Sequence, residues 1–366
     1  MIRYSDDSRP GITRKRRGRY WMYFDPKGER ITDRDEIDRL NAVGMPPAYE
    51  RCWFCPHPDG HILAVGYDAK GRKQYRYHPS FREQQETLKY ERLARFGRCL
   101  PKLRKRIAAD LTGKATDKHT VLAAVVRLID ETRMRIGNEQ YAKENKSFGA
   151  TTLRNRHAKV ERGRLKISYT GKHGIKRTVT VADRHLSRIA KKTQELPGQH
   201  LFEYVDEAGE ICPVTSGDVN AYIKEAMGED FTAKDFRTWG ASTIAFEEMA
   251  RRIGEHGKVK LKAVMEPVAE ALGNTPAISR KSYVHPALIE AAQDAGAIGS
   301  GKLPRATAYM TSGERGLIAF LEALPEEKAK AEEKISRRAS AKGESRAAAE
   351  AEVAAEAKAK LETRAA

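Results

Sequence analysis

Apolar and polar positions follow two different periods along this chain. Up to about Pro79 the pattern is strand-like. Arg19-Tyr20-Trp21-Met22-Tyr23-Phe24 is aromatic and runs into Asp25-Pro26-Lys27-Gly28, a strong turn signal. His61 to Tyr67 repeats the pattern, followed by the turn Asp68-Ala69-Lys70-Gly71 and a third strand, Arg72-Lys73-Gln74-Tyr75-Arg76-Tyr77. This strand sets Arg72, Gln74 and Arg76 on one face and Lys73, Tyr75 and Tyr77 on the other. Cations and aromatic rings so arranged suit nucleic acid. They equally suit a solvated strand with two packing tyrosines.

From Ser80 onward helical periodicity takes over. Leu88, Leu93, Leu100 and Leu103 punctuate a basic stretch ending near Thr112, and Asp117 is placed to cap a helix through Val121, Val125, Leu128 and Ile129. Beyond Gly149 a β insert interrupts, with strands over 165–169 and 177–181 and a turn from Gly171 to Gly174. Helices resume from about Asp183, over 216–227, 233–253 and 261–272, with a short apolar one over 316–324. Residues 325–366 are Ala, Glu, Lys and Arg with almost no large apolar side chain. They have helix propensity but no face to bury, so an exposed helix or disordered tail is expected. The expected class is α+β: a β-rich domain over 1–79, a mainly helical domain over 80–324 with a hairpin insert near 164–181, and the tail.

Composition narrows the function. A chain of 366 residues can bury two cores, and 40% apolar with 32% charged residues is a globular balance. No apolar run is long enough to cross a bilayer, and Met1 to Asp7 lacks the apolar stretch of a secretory signal. A cytoplasmic protein without a membrane partner is expected. The net charge of +18 and pI of about 9.6 call for a polyanionic partner. Duplex DNA is the densest common one, although RNA and anionic lipid are also compatible.

Four cysteines, Cys52, Cys55, Cys99 and Cys212, are too few for a disulfide framework. Cys52-Trp53-Phe54-Cys55-Pro56-His57 with His61 invites comparison with a zinc site. Such a site normally takes two separated ligand pairs, whereas these lie close together among Trp, Phe and Pro. A strand end with buried thiols is expected, with no metal and no cofactor.

There is no glycine-rich phosphate loop for nucleotide hydrolysis and no tight carboxylate cluster for two-metal cleavage. The chain carries instead isolated basic residues in glycine-punctuated settings and one tyrosine in an unusual context. Four blocks contain them: Arg135-Ile136-Gly137-Asn138-Glu139-Gln140-Tyr141 through Gly149 to His157; Tyr169-Thr170-Gly171-Lys172; Lys234-Asp235-Phe236-Arg237-Thr238-Trp239-Gly240; and Leu272-Gly273-Asn274-Thr275-Pro276 through Tyr283. In this order, with a further match at Gly71 to His78, the chain resembles the poxvirus-like bacterial type IB DNA topoisomerases over most of residues 15–290.

The resemblance implies a nicking-and-resealing enzyme acting on double-stranded DNA as a monomer, through a 3′-phosphotyrosyl intermediate and without ATP. It implies Tyr283 as nucleophile, Arg135 and Arg237 as stabilisers of the transition state, and Lys172 as general acid. It adds Tyr141 and Lys234 as DNA contacts, beside Arg72, Gln74, Tyr75 and Tyr77 of the N-terminal strand. The chemistry independently asks for such groups. Transesterification needs a nucleophile, charge stabilisation and a proton for the leaving oxygen. A guanidinium fork grips two oxygens at once, whereas a lysine can release a proton that arginine holds.

Nine positions before Tyr283, where the family usually has histidine, stands Asn274. An amide donates one hydrogen bond and carries neither charge nor proton, so hydrogen-bond stabilisation alone is expected of it. Taken singly, each residue has an ordinary reading: a surface arginine, a hairpin lysine, a core tyrosine. Their joint occurrence favours catalysis.

The nearest rival is a tyrosine site-specific recombinase, which shares the fold and the Arg, Lys, Arg, Tyr set. Recombinases typically place histidine three residues before the second arginine, where this chain has Lys234. Their N-terminal domain is also usually a helical bundle. A non-catalytic architectural DNA-binding protein would need the basic surface but no reactive tyrosine. The expected shape is a C-shaped clamp, nucleoid-associated, with the β domain over one face of the duplex.

Overall fold

The computed structural model describes residues 2–257, 259–293, 298 and 302–324. The expected tail over 325–366 lies outside the described residues. The chain divides into two compact units, Met1–Arg92 and Leu93–Ala366.

The first unit is built on an antiparallel sheet of order β2-β1-β3-β4-β5, formed by β1 (Ile12–Arg17), β2 (Tyr20–Phe24), β3 (Glu50–Phe54), β4 (Ile62–Tyr67) and β5 (Lys73–Tyr77). Helix α1 (Arg34–Ala42) lies between β2 and β3 in sequence, capped by the Asp33 carboxylate on the Glu36 N–H. Ile12, Tyr23, Leu40, Met45, Cys52, Phe54 and Ala64 form the core, with Tyr23 edge-on to Phe54 at 5.5 Å. Cys52 lies in β3 and Cys55 just after it, both buried.

The sequence places the junction at Pro79. In the structure helix α2 (Pro79–Glu91) groups with the sheet, because its Phe81 stacks on Tyr77 at 5.8 Å and meets His61 edge-on at 5.0 Å.

The second unit runs α3 (Leu93–Asp110), α4 (Lys118–Thr132), α5 (Glu139–Asn145), β6 (Ala158–Glu161), β7 (Arg164–Thr170), β8 (Lys176–Val181), α6 (Arg184–Gln194), β9 (Glu203–Val205), β10 (Ile211–Pro213), α7 (Ser216–Met227), α8 (Asp235–His256), α9 (Leu261–Leu272), α10 (Pro276–Ser282) and α11 (Pro286–Ala291). Residues 312–324 are also helical. Strands β6, β7 and β8 make a three-stranded antiparallel sheet, and β9 pairs with β10.

Helix α4 is central. Its residues from Val121 to Val126, and Leu128 and Ile129, are buried on all sides, and it packs against α3, α6, α7 and α8. On α3, Phe96 meets Phe231 and Phe236 edge-on at 5.2 and 5.1 Å and Trp239 at 6.0 Å. These contacts fix the first turns of α8, where Arg237 sits.

A buried ion network ties the helix over 312–324 to this core. Arg104 on α3 donates to Asp130 on α4 and, with two bonds of 2.7 Å, to Glu314, which also accepts from Trp239 Nε1 at 3.0 Å. Burial pushes the Glu314 carboxyl up. The hydrogen bonds and charge of Arg104 outweigh it and hold the group below its ordinary value of 4.5. A depressed folded pKa contributes stability above the unfolded value, and that stability is lost as pH falls through the folded one. Glu314→Ala leaves Arg104 part-neutralised in a buried site, so it is expected to cost about 3–5 kcal/mol in urea unfolding at pH 7. Glu314→Gln should flatten the stability loss of the native chain below pH 4.5; an unchanged acid limb would show that the network does not carry it.

Candidate active site

Arg135 follows α4, in a segment braced by the residues around it. Gly137 takes φ +99°, and Gly149 lies so close to Arg135 O and Gly137 that a side chain at 149 has no room. The Ala150 N–H donates to Arg135 O and the Thr151 N–H to Ile136 O, both at 2.8 Å. Asn138 caps α5 by accepting from the Tyr141 N–H at 2.9 Å, and Glu139 binds Arg154 and His200. Most of this motif therefore builds the turn that presents Arg135.

The segment from Leu272 to Tyr283 has a parallel logic. Leu272 ends α9, and Gly273 at φ +61° turns the chain out of it. Asn274 follows, then Thr275 caps α10 at the Ile278 N–H, with Pro276 in the first helical position. Tyr283 ends that helix, its N–H donating to Ser279 O at 3.1 Å. Ser242 on α8, fully buried, grips the chain just after the tyrosine: its hydroxyl donates to Tyr283 O at 3.3 Å and accepts from the His285 N–H at 3.0 Å.

Arg237 is only 4% exposed. Its Nη1 donates to Arg133 O and its Nη2 to Leu272 O at 3.1 Å, while Nε is buried without a partner. Both carbonyls belong to helix C-termini: Arg133 caps α4 in a left-handed conformation and Leu272 ends α9. The guanidinium is thus held by the negative ends of two helices instead of a carboxylate. Burial, then the nearby Arg135 charge, lowers its pKa below the ordinary arginine value, but an arginine keeps its charge at neutral pH.

Arg135, Lys172, Arg177 and Arg237 line one cavity with Met134, Phe148, Tyr169 and Gly273, and among the described residues no carboxylate shares that lining. Lys172 lies exposed at the tip between β7 and β8. Arg135 Nη2 donates to Asn274 Oδ1 at 3.0 Å, and Asn274 Nδ2 is buried with no partner. The Arg237 guanidinium carbon stands 4.9 Å from the Tyr283 ring centroid. Burial pushes the Tyr283 phenol up, but the charges and hydrogen bonding of Arg237 and then Arg135 outweigh it, holding the phenol below its ordinary value of 10.0.

The chain matches the model of the eukaryotic DNA topoisomerase I catalytic core over residues 78–303, and that of the bacterial DNA topoisomerase IB N-terminal domain over 20–68. It belongs to the type IB DNA topoisomerase family. The DNA topoisomerase 1B of Acanthamoeba polyphaga mimivirus is 34% identical over 75% of this chain and 85% of the viral one. That of vaccinia virus (strain Copenhagen) is 24% identical over 67% of this chain and 76% of its own. Among solved structures, the XerH site-specific recombinase bound to its difH substrate aligns over 52% of each chain at 19% identity, with a TM-score of 0.32.

Not every residue expected at the site joins this group. Tyr141, half-buried on α5, and Lys234, exposed before α8, do not line the cavity of this topoisomerase-family chain. In the N-terminal unit Arg72 pairs with Asp68 at 2.7 Å and Gln74 Nε2 donates to the same carboxylate at 3.2 Å. The Arg72 side chain, aided by the backbone N–H groups of Arg72 and Lys70, brings Asp68 down to about 2. Tyr75 and Tyr77, stacked at 5.8 Å and about 40% exposed, form the open face of β5. Sequence reasoning missed Arg177 and Ser242, which look like an ordinary strand cation and a helix serine. Their positions, five residues after Lys172 and five after Arg237, are the only trace they leave in sequence.

Among the described residues no helix is long and apolar enough to cross a membrane, and no group of three or more His, Cys, Asp or Glu side chains is arranged to hold a metal ion.

Proposed function

We propose that this chain relaxes supercoiled duplex DNA by transient cleavage of one strand through Tyr283. The observation that carries the reading is a tyrosine 4.9 Å from the Arg237 guanidinium, beside a cavity that three arginines and a lysine line and that, among the described residues, no carboxylate shares. A carboxylate in that lining would repel a phosphodiester. Backbone carbonyls hold Arg177 and Arg237, and the Asn274 side-chain amide holds Arg135, all of them neutral acceptors that leave the positive charge in place.

In the proposed reaction the Tyr283 oxygen forms a bond to phosphorus, the phosphorus–O5′ bond breaks, and the phenol's proton leaves to water. Arg135 and Arg237 stabilise the charge on the non-bridging oxygens, with Arg237 Nε among the donors. The unpartnered Nδ2 of Asn274 supplies one neutral hydrogen bond to the same oxygens. Lys172 gives a proton to O5′. The 3′-phosphotyrosyl ester conserves the bond, so resealing needs no ATP. Between the two steps the free 5′ end turns about the intact strand until torque is released.

Tyr75 and Tyr77 are proposed to contact the duplex, with Tyr141 and Lys234 as further contacts. Arg72 and Gln74 reach DNA only by giving up Asp68. The protein is proposed to act as a monomer on the bacterial nucleoid.

The test is purified protein with supercoiled plasmid in EDTA and without nucleotide. Relaxed topoisomers are expected from both positively and negatively supercoiled substrate, since every proposed group is an organic side chain. Strict dependence on magnesium would sink the mechanism.

Ser242 should matter in a graded way. Ser242→Ala frees the Tyr283 carbonyl and the His285 N–H that follows it. Loss of alignment of this kind costs up to about 100-fold in rate. Single-turnover cleavage should slow while DNA affinity stays close to wild type; an unaltered cleavage rate would show that packing alone aligns the phenol.

A further inference from the structure

We propose that Arg177 is a positioning residue, which latches the hairpin carrying Lys172 onto the turn carrying Asn274. The inference rests on the reading of Lys172 as proton donor. Lys172 sits on a tip from Gly171 to Ile175 that contains two left-handed residues, His173 at φ +66° and Gly174 at φ +76°. An exposed tip of this kind has no packing of its own to fix the lysine's direction.

Arg177 stands at the base of that tip, on β8 opposite Tyr169 of β7. It leaves the hairpin to donate from Nη2 to Ala271 O at 2.9 Å, in the last turn of α9. Its guanidinium lies directly against Gly273, where a Cβ would overlap Nη1. The α9 terminus therefore collects three arginines: Arg177 on Ala271 O, Arg237 on Leu272 O, and Arg135 on the Asn274 side chain. Arg177 is the one that comes from the hairpin. Cationic donors at a helix C-terminus are favoured by its dipole. The same contact brings the β7–β8 tip to the groups that would grip the phosphate.

A latch and a direct phosphate ligand differ in what rescues their loss. A bridging 5′-sulfur is a leaving group that needs no proton. If Arg177 acts by aiming Lys172, Arg177→Ala should slow cleavage of the ordinary phosphodiester by about 100-fold, the scale of a misplaced catalytic group. It should cleave the 5′-phosphorothiolate at close to the wild-type rate. The sulfur-to-oxygen rate ratio, measured under single turnover on one preparation, does not depend on how much of the variant is folded. Arg177→Gln, which retains a donor for Ala271 O, should recover part of the rate on oxygen. The Lys172→Ala/Arg177→Ala double variant should be no slower than Lys172→Ala alone, because both act through one group.

Four results overturn the proposal. Wild-type cleavage of the phosphodiester by Arg177→Ala removes any role. An additive double variant separates Arg177 from the lysine. Rescue of Lys172→Ala by sulfur without rescue of Arg177→Ala makes Arg177 a charge stabiliser or a structural residue. Failure of sulfur to rescue either variant removes Lys172 as the acid, and the latch falls with it.

Discussion

Tyr283→Phe is expected to abolish covalent capture of DNA while leaving binding nearly intact. The substitution deletes one oxygen. The residue keeps its place after α10, with its backbone N–H on Ser279 O and Arg237 4.9 Å from its ring centroid. Loss of the nucleophile from a covalent catalyst costs on the order of 10⁶-fold, beyond the reach of a labelled suicide substrate on a denaturing gel. A surviving adduct in the Phe variant would place the nucleophile elsewhere.

The pH dependence of the native chain gives an independent reading of the same residue. Burial alone would raise the phenol, but Arg237 and Arg135 hold it below 10.0, so reactive phenolate forms at lower pH than for an ordinary tyrosine. Cleavage limited by ionisation should therefore rise with pH and level off before that value. Arg135→Gln removes a lowering charge and should move the rise to higher pH. A rise that stayed in place would mean the arginines act on phosphate alone.

The parts of this site that were legible in sequence are those that side-chain type and order carry. Arg135, Lys172, Arg237 and Tyr283 appear in glycine-punctuated blocks, and the structure explains the punctuation: Gly137 and Gly149 make room for the turn at Arg135, and Gly273 ends α9. The means by which the cations are held was not legible. Arg133 O, Ala271 O and Leu272 O are backbone atoms, which leave no mark in composition.

The same limit hid part of the fold. Four of the six residues of β1 are cationic, and its hydrogen bonds to β2 and β3, not an apolar alternation, make it a strand. The three-residue strands β9 and β10 are too short to show a period. Arg72 and Gln74 read as an open cationic face until the turn at Asp68 closes and its carboxylate takes both. Helices α4, α7 and α9, with long periodic apolar faces, were where the pattern put them.

Lys172→Ala supplies the most discriminating result. The lysine shares a cavity with Arg135 and Arg237, yet the three are expected to fail differently. If Lys172 protonates O5′, its loss should slow phosphodiester cleavage by about 100–10,000-fold, the usual span of general acid catalysis. Sulfur at the bridging 5′ position leaves without a proton, so Lys172→Ala should cleave the phosphorothiolate at close to the wild-type rate. Arg135→Ala and Arg237→Ala should remain slow on both substrates, because charge on the non-bridging oxygens develops whichever atom leaves. Arg237→Ala carries a second cost, since it also frees the carbonyls of Arg133 and Leu272 at two helix ends. A Lys172→Ala variant that sulfur fails to rescue would make the lysine a charge stabiliser. The proton would then have to come from another donor, and because Tyr169 is buried with its phenol pKa raised by that burial, it would be the first group to examine.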